Sequence, residues 1–556
     1  MKAFRKMELS ERSVLICELP RKSFSCWFGT LSVEKNEPEP PATYETAIVA
    51  CGFGKFHYML LLGLIPMCAA QLFSSGSVGL ALPSAQCDLQ LEDFQKGALN
   101  GATYLGNLMS GLVWGGVSDV FGRRNIIVLC FLADFLVSLA CGFATSYEVL
   151  LVLKVLAGVI IAGPNSVLFA YLAEVNDNEH RSMSIMMNGM GFAFAQILQP
   201  VLAYFLLPLT FRLELVPGVM ELTSWRVFFL ACAVPSLVSG LMFIALPESP
   251  KFLMSKGRHE DALRAFERIY ATNTGCDPAT YPIKSLDICV APILDGKKPN
   301  SLQRAVAQFS PLFRKPFLAR MLLLVALQVN IMICINSLRL WTPQLFAMLE
   351  QFEVGSWQGK PEASNTCQMI SAVLDRPVDS AFGVNGTVAA EAAARTAVDR
   401  AVGPCEVVSG DVYLRSVLVG AVGTTSFVFT GWASKRFGNR PLMLGSFPLA
   451  MVTSVGMLWA VDSDMFTGLL AVFTPLTAVG LTSLSAILVD LFPTSLRGVS
   501  VSVALICGRA ASLSGNLILP VLLNISCDAL FIFITVCLAV CSVLVWFVPK
   551  KKDVDL

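Results

Sequence analysis

Long apolar runs, broken by charges and turn residues, divide this chain into twelve candidate helices. A run of about 20 residues crosses a roughly 30 Å hydrocarbon core. The first six runs lie near 58–82, 98–118, 125–144, 148–172, 184–207 and 225–246. The second six lie near 317–341, 411–433, 441–460, 466–490, 498–522 and 527–548. The pattern predicts an all-α polytopic membrane protein in two six-helix halves, 58–246 and 317–548. A polar central segment with an amphipathic helix, 247–316, separates them, and tails 1–57 and 549–556 flank them.

Charge orients the bundle. Lys251, Lys256, Arg258, Arg264 and Arg268 of the central segment, with Lys284, Lys297, Lys298 and Arg304, fall on one side. Arg123, Arg124, Lys435, Arg436, Arg440, Arg497 and the Lys550–Lys552 tail join them. The positive-inside rule makes that side cytosolic, with both termini inside. The opposite side carries one large loop, 342–410, which is acidic (Glu350, Glu353, Glu362, Asp375, Asp379). Asn385-Gly386-Thr387 is a glycosylation sequon there, and Cys367 and Cys405 are candidates for a disulfide in an oxidising compartment. Asn524-Ile525-Ser526 lies closer to the membrane and is the poorer sequon.

Composition agrees. Residues are 55% hydrophobic and only 15% charged, against about 25% charged in soluble proteins. A soluble enzyme is excluded, and the net charge of +1 gives no reason to expect nucleic-acid binding. Most of the 17 cysteines sit in apolar runs, where a thiol packs as a small hydrophobe. With three histidines and no CxxC, no metal site is expected. The charged first 55 residues contain no early apolar core, so no cleavable signal peptide is expected and 56–83 serves as the first span.

An internal repeat connects the halves. Gly115, Ser118, Phe121, Gly122 and Arg124 match Gly431, Ser434, Phe437, Gly438 and Arg440 at an offset of 316. The same offset relates Glu174 and Arg181 to Asp490 and Arg497. Two matches at one offset point to a parallel duplication, as in transporters that rock about a midplane site. The glycines permit tight turns. Asp119 is a candidate acceptor for Arg181 or for a helix end of the other half, a latch that breaks on opening. The alternative is topogenic charge at a turn.

GGVSDVFGRR (115–124) is similar to the loop 2–3 signature of the major facilitator superfamily, and Pro247–Leu253 resembles its PESPRFL motif. Within it the chain resembles the synaptic vesicle glycoprotein 2 group, through Tyr44–Ile48, Gly52–Phe56, Leu82–Ala85, Ser224–Phe228 and Gly257–Gly275. The resemblance implies twelve helices in pseudo-symmetric halves, alternating access, and a cavity lined by spans one, four, seven and ten. It also implies a buried acid on span one and a base on span four. Lys154 keeps the base, but the acidic position corresponds to Gln71, which cannot exchange a proton.

Ionisable groups within spans are functional candidates by default. Arg415 lies near a span end and can snorkel, whereas Asp134, Lys154 and Arg509 lie deeper. Asp134 is a candidate to neutralise Lys154. Arg509 is a candidate to meet an anionic group or a carbonyl. Gln71, Ser74, Asn165, Gln328, Asn330 and Asn336 are candidate lining, Trp341 is placed at the interface, and Pro66 and Pro164 allow bending. Each amide also fits an interhelical hydrogen bond.

The expected function is secondary transport of a small organic solute, without cofactor, nucleotide or covalent chemistry. The alternative is a non-transporting membrane glycoprotein with a regulatory or partner-binding role. The lipid bilayer and a small solute are the expected partners; protein partners, and plasma against vesicle membrane, stay open.

Overall fold

The computed structural model describes residues 42–111, 113–216, 220–287, 310–315, 317–354, 364–374 and 408–549. Asn385 and Cys405 lie outside them. Among the described residues, eleven helices are long and apolar enough to cross a membrane. The second span is described as Asp93–Ser110 and Val113–Phe121, the first too polar and the second too short to be counted. Spans one and three to six are Lys55–Ala85, Arg123–Gly142, Tyr147–Val175, Arg181–Leu206 and Ser224–Ala245. Spans seven to nine are Phe317–Val354, Gly410–Phe437 and Asn439–Leu458. Spans ten to twelve are Ser463–Asp490, Thr494–Ile525 and Cys527–Trp546. Leu62, Phe429, Trp459 and Ile525 are 70–71% exposed, the reverse of a water-soluble surface. The chain is an integral multi-pass membrane protein.

The internal repeat is structural. Spans three and nine begin 316 residues apart and end 316 residues apart. Gly122 and Gly438 precede them with φ of +101° and +84°, a region that favours glycine. Ser146 caps span four by accepting from Val149 N, and Asp462, 316 positions later, caps span ten by accepting from Met465 N. Arg124 donates to the Phe243 and Ile244 carbonyls at the end of span six, and Arg440 to the Trp546 carbonyl at the end of span twelve. Each motif arginine thus satisfies carbonyls that a helix terminus leaves open.

Two expectations need correction. The loop placed from Thr342 is helical as far as Val354. At 1.5 Å per residue the 38-residue seventh span is about 57 Å long and projects well past the hydrocarbon core. Its projecting turns bury Leu345, Phe346 and Leu349, with Phe346 edge-on to Phe466. Glu353 accepts from Ser463 N at the start of span ten, and Glu350 from Ser409, the cap of span eight. Acids that read as loop charge therefore complement helix N-termini. Trp341 is 1% exposed, packed within the bundle.

The second correction concerns Cys367, which is bonded to Cys527 and not to Cys405. The helix Thr366–Leu374 folds back on the start of span twelve, and Thr366 donates to the Ala460 carbonyl. This brings the two Cα atoms to 5.2 Å, within the range a disulfide requires. Cys87 is disulfide-bonded as well. Below, the end of the bundle bearing Gly122 and Gly438 is the motif end, and the opposite one the disulfide end.

Candidate functional site

At the motif end, residues distant in sequence converge on Glu174. Its carboxylate accepts from Arg123 Nη2 at 3.3 Å and Ser249 Oγ at 2.6 Å, and its carbonyl from the Tyr44 hydroxyl at 2.5 Å. Glu248 accepts from the backbone N–H of Arg124. Asp119 pairs with Arg123 of its own motif at 2.9 Å, and Arg181 reaches Glu45 at 3.9 Å and the Ala173 carbonyl. Among the described residues, Asp119 thus engages neither Arg181 nor the second half. Behind this hub, Asn273 accepts from Phe56 N and donates to the Cys51 and Gly52 carbonyls, capping span one from the central segment.

The described contacts between the halves run from mid-bundle to the disulfide end. A Cβ at Gly79 of span one would stand 2.5 Å from the Leu340 carbonyl oxygen of span seven. One at Gly97 of span two would stand 2.6 Å from the Asn516 carbonyl oxygen of span eleven. Such small residues let membrane helices approach closely. Thr424 of span eight donates to Ala193 O of span five, Arg509 to Asn107 O, and Gln344 to Gln86. Toward the motif end, a Cβ at Gly115, Gly116, Gly431 or Gly498 would meet nothing within 4 Å. Among the described residues, the side-chain hydrogen bonds and close glycine approaches that join the halves lie from mid-bundle to the disulfide end.

Between them lies a cavity of about 130 Å³ lined by spans one, five, seven, eight and ten. Spans five and eight supply Gln196, Gln199 and Ser416, in place of the expected span four. Span four is instead pressed against span two, where a Cβ at Gly158 would collide with the Thr103 carbonyl and one at Gly106 with the Val155 carbonyl. Among the described residues, Arg339 is the only charged side chain in the lining. Arg339 Nη2 donates to the Tyr104 hydroxyl at 3.0 Å, Tyr104 to Asn336 Oδ1 at 2.9 Å, and Asn336 Nδ2 to Ser512 Oγ at 2.9 Å. The seventh apolar run, 317–341, already contains Arg339, which was not singled out from sequence among the charges within spans.

None of the candidates named from sequence lines this cavity. Ser74 donates to Asp134 and Asn330 to Ala326 O of its own helix. Gln328 abuts Gly508, and Asn165 is half-buried on span four. Gln71 is 4% exposed, and its Nε2 has no hydrogen-bond partner among the described residues. Arg509 meets a carbonyl, one of its two expected roles. Asp134, fully buried, accepts from Ser74 Oγ at 2.9 Å and Ser236 Oγ at 2.6 Å. Lys154, 1% exposed, donates to Ser77 Oγ at 2.8 Å and sits 4.5 Å over the Phe229 ring. None of the described ion pairs joins the two. Serines one turn apart on span one hold the acid and the base separately. Arg415 meets exposed Asp464 at 3.0 Å, as a snorkelling residue does.

Comparison with known proteins matches the family described as "Sugar (and other) transporter" over residues 53–352 and "Major Facilitator Superfamily" over 412–555. Synaptic vesicle glycoprotein 2A of Rattus norvegicus is 30% identical over 248 residues, 44% of this chain and 33% of that protein. Synaptic vesicle glycoprotein 2C of Mus musculus is 30% identical over 238 residues, 43% and 33%. The match thus spans about a third of the length of these relatives. A D-xylose-proton symporter has the same fold, with a TM-score of 0.60 at 14% identity, covering 90% of this chain and 99% of that one. The inward open xylose transporter from E. coli gives 0.56 at 14%, covering 89% and 96%.

Proposed function

We propose that this chain, which belongs to the sugar (and other) transporter family, is a secondary transporter that carries a small organic solute by alternating access. One observation carries this reading: a cavity between two repeated halves whose described joining contacts lie from mid-bundle to the disulfide end. The Cys367–Cys527 bond supports a non-cytosolic disulfide end, since disulfides persist in oxidising compartments. The motif end and both termini are then cytosolic, and the arrangement is inward-facing. In this state Asp119 is free of the other half, and the proposed latch forms when the motif end closes. Asn385 then faces the compartment where sequons are glycosylated, and a peptide-N-glycosidase mobility shift lost in Asn385→Gln tests that placement.

Span one carries Gln71 where proton-coupled relatives carry an acid, which favours exchange or uniport over proton coupling. The same residue favours the second reading, a membrane glycoprotein that keeps the scaffold without transport. Counterflow in proteoliposomes, which requires no coupling ion, separates the two. Across a panel of labelled organic anions, organic cations and sugars, saturable exchange is expected for at least one. No saturable exchange from protein that remains monodisperse and thermally cooperative would contradict transport.

A further inference from the structure

We infer that the cavity takes a small monoanion with an apolar body, such as an aromatic carboxylate, and pairs it with Arg339. The inference rests on the transport reading and names the substrate class. Three observations support it.

The first is charge. Among the described residues, Arg339 is the only ionisable side chain lining the cavity and belongs to none of the ion pairs. An intramembrane cation without a counter-charge is costly, and an anion entering beside it removes that cost. The other intramembrane groups are otherwise engaged: Lys154 by Ser77 and Phe229, and Arg509 by Asn107.

The second is orientation. Tyr104 accepts from Nη2, and the onward chain through Asn336 to Ser512 fixes that hydroxyl as an acceptor toward Arg339. Nη1 points elsewhere, to within 3.2 Å of where a Cβ would stand on Gly76. Gly76 and Gln199 both line the cavity, and Gln199 Oε1 lies 2.7 Å from that same point, so Nη1 is the guanidinium nitrogen placed at the cavity wall. A charged N–H donor there suits a carboxylate oxygen.

The third is size and wall chemistry. Leu72, Leu80, Ile335, Leu338 and Phe473 supply apolar wall around that single cation. A cavity of about 150 Å³ accommodates benzene, so one of about 130 Å³ limits the enclosed part of the occupant to a small ring or short chain.

The test is binding to the full-length protein in detergent, read as thermal stabilisation, with benzoate, benzenesulfonate, neutral benzamide and cationic benzylamine as probes. Benzoate is expected to raise the melting temperature saturably, while benzamide and benzylamine do not. Benzenesulfonate distinguishes a general oxyanion site from a carboxylate site. Arg339→Gln abolishes the shift, Arg339→Lys weakens it about tenfold or more, and Arg212→Gln, at an exposed position between spans five and six, leaves it intact. Should Arg339→Gln not fold, Gly76→Asp serves instead, because it tethers a carboxylate beside Nη1 and blocks benzoate. Equal stabilisation by benzamide and benzoate, or a benzoate shift that survives both variants, would overturn the inference. Counterflow of a neutral solute without benzoate binding would leave transport standing and sink the anion site. Benzoate binding with no flux for any probe would sink transport alone.

Discussion

Arg339 on span seven donates to the hydroxyl of Tyr104 on span two, 3.0 Å away, so a single phenol joins the two halves beside the cavity. Tyr104 is 8% exposed and also donates to Asn336. Tyr104→Phe keeps the ring and removes both bonds, each worth about 0.5–1.5 kcal/mol net. The seal at the disulfide end then opens more often. A cysteine placed at Thr342 is expected to react with a membrane-impermeant maleimide about 2- to 10-fold faster when Tyr104→Phe is also present. An unchanged rate would mean that the phenol does not hold the halves together.

Asp134 and Lys154 are two buried charges held by Ser74 and Ser77 and linked by proximity, not by contact. Removing one leaves the other buried and uncompensated, a loss of roughly 3–5 kcal/mol for a buried pair. Asp134→Asn and Lys154→Met are each expected to lower the melting temperature, with the double variant less destabilised than the sum of the two. Additive losses in a double-mutant cycle would show that the two charges do not sense each other.

Cys51 lies between the helix Tyr44–Ala50 and span one, fully buried beneath the central segment. Burial pushes its thiol up to about 12, and the hydrogen bond with Tyr281 only partly opposes this. The reactive thiolate is therefore scarce at neutral pH and grows about tenfold per pH unit up to that value. Alkylation of Cys51 in folded protein, followed by mass spectrometry, should still be climbing at pH 10. In denatured protein it should level off near the ordinary value of about 8.5. Matching profiles would show that the cap of residues 42–57 and 259–287 detaches readily.

Cys367–Cys527 ties the helix after span seven to the start of span twelve across 160 residues. A bridge of this kind typically contributes about 2–4 kcal/mol. Cys527→Ser is expected to lower the melting temperature and to abolish the Cys367–Cys527 peptide in a non-reducing digest. A peptide joining Cys367 to Cys405 instead would contradict the fold of this segment.

The spans and the 316-residue repeat were legible in sequence because both depend on local signals: apolar runs, glycine turns and charged helix ends. The site was less legible because it depends on which helix faces meet. Ser74 and Asn336 read as cavity lining, yet each serves another polar side chain. Arg339 was not singled out, and the chain beyond Trp341 read as a loop because Pro343 and the acids that follow resemble one. Packing of Leu345, Phe346 and Leu349 carries the helix onward, and hydropathy along the chain does not record such packing. Cys527 likewise read as part of an apolar span, since nothing local signals that a helix 160 residues earlier folds back to it.

Alternating access is tested most directly by a wedge that acts without any solute. Gly79 faces the Leu340 carbonyl where spans one and seven seal the disulfide end, and Gly79→Trp forces them apart. Labels introduced through unnatural amino acids at the exposed Val120 and at Lys435 report the motif end by electron–electron double resonance, independently of the native thiols. Rocking halves predict that the wedge shortens this distance, closing the far end as the near end opens. A distance distribution unchanged or lengthened, in protein that remains folded, would contradict a transporter built on two halves that rock about a central cavity.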